Sequence, residues 1–348
     1  MRGPDPAASV GDATSEQNGE QNGEPGEFDW IDTDLRPLAA GFAEAFDLKD
    51  DAAAIPAKQG HELIVSKDAI VEGVHFLPDD PADLVARKLL RVNLSDLAAK
   101  GATPYAYMLA IGWPASRDRA QRRAFAGGLA ADQARFGLRL LGGDTVSTPG
   151  PLWASLTIFG WAPAGAMVRR DAARPGDIVL CSGTIGDGWL GLASAKGTLD
   201  ADAADRDALA ERYRLPTPRL GLGVALRAAN AACADISDGL IADAGHIAEA
   251  SGVAIELELE LAPLSGPARR WVNRQPDRLA ALIGLATGGD DYELVCTAPP
   301  DAAAALQTAA EALGFGLFEI GRVMQGQGIS ARFEGQAVKL TRTGYRHA

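Results

Sequence analysis

The chain has 348 residues, enough for two domains, each with its own core. A formal charge of −13 and a pI of about 4.8 argue against a surface built to hold nucleic acid or an anionic membrane. No apolar run is long enough for a membrane span, and no apolar N-terminal segment marks a secretory signal, so the expectation is a cytoplasmic protein.

In chain order, residues 1–27 carry a repeated Glu-Gln-Asn-Gly and almost no large apolar side chain, which predicts a disordered acidic tail. Order is expected from Phe28–Trp30, opening an N-terminal domain over 28–165. His61–Phe76 reads as two extended segments around a polar break at Ser66–Asp68. Asp80 as N-cap, Pro81 in the first turn and Gly101 at the end bracket a helix. Arg119–Phe136 also has a helical pattern. Leu138–Leu141 reads as a short strand leading into Gly142-Gly143-Asp144-Thr145, and Leu152–Trp161 as a strand.

Arg169–Asp177 is a polar crossing punctuated by Pro and Gly, and a C-terminal domain is expected over 166–348. It begins with a strand at Ile178–Ser182 and a Gly-rich turn at Gly183–Gly188. Ala232–His246 predicts a buried strand running into a buried helix. A strand at Tyr292–Thr297, a helix at Asp301–Leu313 and a short β region follow. The fold class is therefore α/β (α+β), with mixed sheets flanked by helices. Cys181, Cys233 and Cys296 are widely spaced in apolar runs and fit buried thiols of a reducing compartment.

Carboxylates recur where apolar elements end: Asp50 and Asp51, Asp68, Asp96, Asp144, Asp235, Asp238 and Asp243, Asp290 and Asp291. Any one of them could be a helix cap or a turn residue. Asp96 is harder to dismiss, because it lies mid-helix with Asn93 and Lys100 on the same face. Buried carboxylates without matching Lys or Arg in the sequence call for cations. Hard divalent ions fit, most simply Mg²⁺, together with a polyphosphate nucleotide whose charge the metal would bridge. Neither a calcium loop, a Walker A loop, a zinc helix nor a serine-hydrolase elbow is present. Gly183–Gly188 follows a strand and could approach a phosphate, but alone it is little more than a turn.

Seven motifs in order are Asp-Asp-Ala-Ala, Ser66-x-Asp68-x-x-Val-Glu-Gly-Val-His-Phe, Asn93-Leu-Ser-Asp96-Leu, Gly-Gly143-Asp144-Thr, Arg174-Pro-Gly-Asp, Asp235-Ile-Ser-Asp238-Gly-Leu and Gly-Gly-Asp290-Asp-Tyr-Glu-Leu. From about Phe28 to Tyr345 the chain resembles thiamine-monophosphate kinase. That family belongs to a superfamily of ATP-using enzymes that includes aminoimidazole ribonucleotide synthetase and selenophosphate synthetase. The resemblance implies the two-domain aminoimidazole ribonucleotide synthetase-like fold. It also implies a homodimer, and transfer of the γ-phosphoryl of ATP to thiamine monophosphate with several Mg²⁺ ions.

Carried over by motif, Asp51, Asp68, Asp96, Asp144, Asp235 and Asp238 look like metal ligands, with Asp96, Asp144 and Asp235 central to catalysis. Ser66, Gly143, Arg170 and Ser237 look like ATP contacts, and Lys67, replacing a family Thr, joins them as a cation near phosphate. His75, Asp290 and Tyr345 look like contacts to the thiamine phosphate. The chain departs from the family pattern in four places. Leu48-Lys49 stand where glycines are common, and Lys67 stands where the family has Thr. Asp290 replaces a Glu, and Arg342 stands where an aromatic is common. The acceptor is already an ionised phosphate, so transfer needs positioning and charge neutralisation rather than a strong base. Two alternatives are an inert nucleotide- or metal-binding dimer of the same fold, and a sister enzyme with another acceptor. No Cys precedes Cys181, which disfavours selenophosphate synthetase, and the chain ends Arg-Thr-Gly-Tyr-Arg-His-Ala without a Cys, which disfavours the carbamoyl-dehydrating hydrogenase maturation factor of the same superfamily.

Overall fold

The structure, a computed structural model, describes residues 27–345, so nearly all of the expected tail lies outside the described residues. Two short helices, α1 (Glu27–Trp30) and α2 (Arg36–Ala39), open the chain. Trp30 packs edge-on against Trp113 with ring centroids 5.6 Å apart, which anchors this opening segment to the core.

The N-terminal domain is a four-stranded sheet in the order β1-β4-β2-β3. The strands are β1 (His61–Val71), β2 (Thr103–Pro114), β3 (Leu140–Thr148) and β4 (Trp153–Pro163). Helices α3 (Ala82–Ala99) and α4 (Arg119–Phe136) supply its core through Leu89, Leu94, Leu97, Phe125 and Leu129 against Leu109, Leu156 and Ile158. Only β2 and β3 run parallel.

The C-terminal domain is a seven-stranded mixed sheet in the order β11-β10-β7-β9-β5-β8-β6. Its strands are β5 (Ile178–Ser182), β6 (Ala232–Asp235), β7 (Ala254–Glu258), β8 (Leu294–Ala298), β9 (Leu317–Met324), β10 (Gly328–Phe333) and β11 (Gln336–Val338). Around it stand α5 (Asp187–Ala195), α6 (Ala203–Arg214), α7 (Leu220–Ala228), α8 (Leu240–Ser251), α9 (Gly266–Arg274), α10 (Arg278–Ala286) and α11 (Pro300–Ala312). Every residue of β5 is buried, because its alternate side chains enter cores on both faces of the sheet: Val179 and Cys181 on one, Ile178 and Leu180 on the other. All three cysteines are free and buried in these cores.

Helix α3 joins the domains. Its Leu face fills the N-terminal core, while Ala98 and Ala99 pack with Leu222, Leu226 and Cys233 of the C-terminal one. Small residues allow this approach: a Cβ on Gly223 would lie 1.8 Å from the Ala98 carbonyl oxygen.

Several sequence expectations change. His61–Phe76 holds one continuous strand to Val71 rather than two segments, because Ser66, Lys67 and Asp68 pair in register with Ile158, Thr157 and Leu156 of β4. Asp80 does not cap α3, whose N-cap is Pro81; its carboxylate accepts from the Leu77 N–H and the Arg214 guanidinium instead. The strand expected at Leu138–Leu141 continues through Gly142-Gly143-Asp144-Thr145 as β3, and that expected from Tyr292 begins at Leu294.

Candidate active site

Strand alternation decides which β1 residues reach the interior. Ile64 and Ile70 are buried, with Ser66 and Asp68 on their side and partly covered, while Val65, Lys67 and Ala69 are exposed on the opposite side. Ser66 Oγ donates to Asp96 Oδ2 at 2.5 Å. The Asp68 backbone N–H donates to Asn93 Oδ1 at 3.0 Å, and the Asn93 amide donates to the Leu89 carbonyl. The fully buried Asn93 thus locks β1 onto α3 and sets Asp68 beside Asp96.

The second wall comes from β6 and the turn into α8. Asp235 ends β6 opposite Leu294 of β8, and Ser237 and Asp238 occupy the turn. Asp68, Asp96, Arg170, Asp235, Ser237, Asp238, His75, Asp290 and Tyr345 all line one cleft of about 400 Å³ between the domains. Of the three aspartates in Ala232–His246, Asp235 and Asp238 face this cleft. Asp243 instead accepts the Asp238 and Gly239 backbone N–H groups at 3.1 and 3.2 Å, clasping the start of α8. Ligand atoms of Asp238, Asp243 and His246 lie within 4.8 Å of one another, at the rim of a neighbouring groove that also reaches Tyr345.

The carboxylates are under electrostatic load. Burial, then repulsion from Asp96, pushes Asp68 up from 3.8 to about 7. Burial also raises Asp96, against the Ser66 hydrogen bond and the charges of Lys100 and Arg170. Asp235 rises well above the usual range through burial and the neighbouring Asp96 and Asp243. Lys100 lies nearby but donates to the Cys233 carbonyl at 3.0 Å, and burial lowers its pKa. Three carboxylates that repel one another in one cleft offer hard oxygen donors of the kind a divalent cation takes.

The loop 288–292 also reaches the cleft, through Gly288, Asp290 and Tyr292. Its backbone is strained, with Asp290 and Tyr292 in the left-handed region at φ 67° and 52°. The Asp290 and Tyr292 N–H groups bond the Ser237 and Ile236 carbonyls, each at 2.8 Å. Between them Asp291, buried, accepts the Gly186 and Gly188 N–H groups at 2.8 and 2.9 Å. The Gly183–Gly188 turn therefore cradles a carboxylate of its own chain and not a phosphate. Glu293, also fully buried, accepts from Ser182, Arg212 and both nitrogens of an Arg219 fork. His75 Nδ1 accepts the Val71 N–H at 3.1 Å. At the C-terminus, Gly344 passes so close to α8 that a Cβ there would meet Ala242 Cβ at 2.5 Å. The Tyr345 N–H bonds the Asp238 carbonyl, and Arg342 donates to the Gly344 carbonyl.

Not every expected residue joins the main cleft. Asp51, Gly143 and Asp144 line a second, smaller one of about 150 Å³ beside β3, with Leu48, Met108 and Leu140. The register explains the division. Asp68, Leu156, Leu109 and Gly143 form one row across the sheet, so Asp144, one residue further on, projects from the other face. Lys67 likewise points away from Asp68.

Residue reading alone missed Lys88, Tyr213, Arg212 and Arg219. A lysine two turns before Asp96, next to the apolar pair Leu89-Leu90 in the same helix, is the available signal for Lys88. The arginines become visible only once distant segments meet.

With this geometry in hand, comparisons with known proteins are specific. Residues 49–162 match the family described as AIR synthase related protein, N-terminal domain, and residues 174–334 match AIR synthase related protein, C-terminal domain. A protein named thiamine-monophosphate kinase from Caulobacter vibrioides is 52% identical over 93% of this chain and 91% of its own. The crystal structure of thiamine-monophosphate kinase from Stenotrophomonas maltophilia superimposes with a TM-score of 0.79 at 38% identity, covering 90% of this chain and 98% of that one. A structure of AaThiL complexed with AMPPCP and TMP gives a TM-score of 0.72 at 29% identity, over 92% and 97% of the two chains. Motifs, two-domain fold and relatives agree: the chain belongs to the thiamine-monophosphate kinase family.

Proposed function

We propose that this chain transfers the γ-phosphoryl group of ATP to thiamine monophosphate, giving thiamine diphosphate and ADP. It acts with Mg²⁺, as a homodimer, in the cytoplasm. The observation that carries the reading is the trio Asp68, Asp96 and Asp235, which repel one another in a cleft that His75, Asp290 and Tyr345 also line. The AaThiL complex, with a nucleotide analogue and TMP bound together, supports both substrates.

In this reading Asp68, Asp96, Asp235 and Asp238 hold Mg²⁺ in the cleft. Asp51 and Asp144, which line the second cleft with Gly143, would hold a further Mg²⁺, and Gly143 would meet the nucleotide there. Bound Mg²⁺ supplies the positive charge that offsets the phosphate oxygens during transfer. Arg170 adds a fixed charge, and Ser66 and Ser237 offer hydroxyls to the nucleotide. Ser66 also holds Asp96 by its hydrogen bond. His75, Asp290 and Tyr345 hold the thiamine phosphate. No residue need act as a strong base, because the attacking phosphate oxygen is already ionised at neutral pH.

Dimer formation is supported by the outer face of the four-stranded sheet, where Val65 and Val146 are exposed to 54% and 41%. The cytoplasmic placement is consistent with the finding that, among the described residues, no helix is long and apolar enough to cross a membrane. Purified protein given ATP and Mg²⁺ should convert thiamine monophosphate to the diphosphate with stoichiometric ADP. Turnover of an aminoimidazole precursor or of selenide instead would overturn the reading.

A further inference from the structure

Lys88 occupies an unusual place for a lysine. It lies on α3 with its side chain 3% exposed, in a helix whose neighbouring Leu89 and Leu90 are fully buried. Its Nζ donates to Asp290 Oδ2 at 2.8 Å and to the His75 carbonyl oxygen at 3.0 Å. It also sits 3.7 Å from the centre of the Tyr213 ring, and the Tyr213 hydroxyl donates to the same His75 carbonyl at 3.2 Å. One buried cation from the N-terminal domain therefore touches two of the three residues assigned to the acceptor, and rests on a ring of α6.

A buried ammonium is retained only where partners offset its desolvation. Here the partners are the acceptor loop itself. Asp290 is the residue at φ 67°, a conformation that persists only when its surroundings enforce it. Its backbone is fixed through Ser237 and its side chain through Lys88. The neighbouring residue of α6, Arg212, holds the loop from behind by donating to the Asp291 carbonyl.

We infer that Lys88 is a positioning residue for the acceptor: it ties His75 to Asp290 across the domain interface and so sets the spacing and orientation of the thiamine monophosphate pocket. The inference rests on the proposed function above. It adds that acceptor binding is tuned from α3, the same helix that presents Asp96 to the metal side. Lys88 touches neither nucleotide residue Ser66 nor Arg170, so its influence falls on one substrate.

The test is steady-state kinetics of full-length Lys88→Met and Lys88→Arg with ATP and thiamine monophosphate varied separately, beside Mg·ATP binding by calorimetry. The expected result for Lys88→Met is a KM for thiamine monophosphate raised at least tenfold, with KM for ATP and the Mg·ATP Kd within twofold of the parent. Lys88→Arg should recover part of the loss, since it keeps the charge but not the single-point geometry. If Lys88→Met does not fold, Lys88→Arg alone takes its place, with a smaller rise in the acceptor KM and an unchanged KM for ATP expected. An unchanged acceptor KM in a folded variant, or equal changes for both substrates, would overturn the assignment of Lys88. A parent enzyme that binds Mg·ATP but never turns over thiamine monophosphate would overturn the functional reading instead.

Discussion

The most revealing single change is Asp68→Asn. Asp68 is raised from 3.8 to about 7, first by burial and then by Asp96. At about 1.36 kcal/mol per unit, an ionised Asp68 costs the metal-free fold about 4 kcal/mol relative to the unfolded chain. The sign follows from the direction: the native form binds its proton more tightly than the unfolded one. The penalty is therefore absent below pH 3.8, grows as pH rises, and levels off above about 7. An asparagine never carries the charge. In EDTA, Asp68→Asn should be more stable than the parent, with the gain growing by about 2 kcal/mol between pH 5.5 and 7.5. Urea unfolding across that range measures it. Mg²⁺ should then stabilise the parent, by mass action on the native state, more than the variant. A variant less stable than the parent in EDTA at pH 7.5, or a gain that does not change with pH, would refute the reasoning.

Asp96→Asn should abolish turnover while leaving a folded protein, as measured by activity beside thermal unfolding; marked unfolding with unchanged specific activity would assign Asp96 to structure. Gly223→Ala should destabilise by about 1–3 kcal/mol in urea titration, because its new Cβ would overlap the Ala98 carbonyl oxygen 1.8 Å away. Arg219→Met should cost about 1–3 kcal/mol, since it removes two hydrogen bonds from the fully buried Glu293 while Arg212 and Ser182 still hold it, and guanidinium unfolding would report it.

What the sequence disclosed was local or periodic. The run into α8, the Gly after α3 and the three buried cysteines were legible because apolar spacing and caps are properties of short segments. The pairing of Asp68 with Asp96 was legible only through the motif order of the family. Register was not. Nothing in Leu140–Thr148 itself says that Gly143 shares a row with Asp68 while Asp144 faces the other way; that depends on how four strands are stacked side by side. Asp80 looks like a cap in the sequence because its partner Arg214 lies 134 residues away. Long sequence separations also hide the Lys88–Asp290 pair, 202 residues apart, and the Asp291 carboxylate that fills the Gly-rich turn, 105 residues on from Gly186.

The account stands on the cleft carboxylates accepting nucleotide only in company with divalent metal. Calorimetric titration of ATP into the purified protein, once with Mg²⁺ and once with excess EDTA, addresses this most directly. Binding should be readily measured with Mg²⁺ and lost in EDTA. Equal affinity under both conditions would contradict the account.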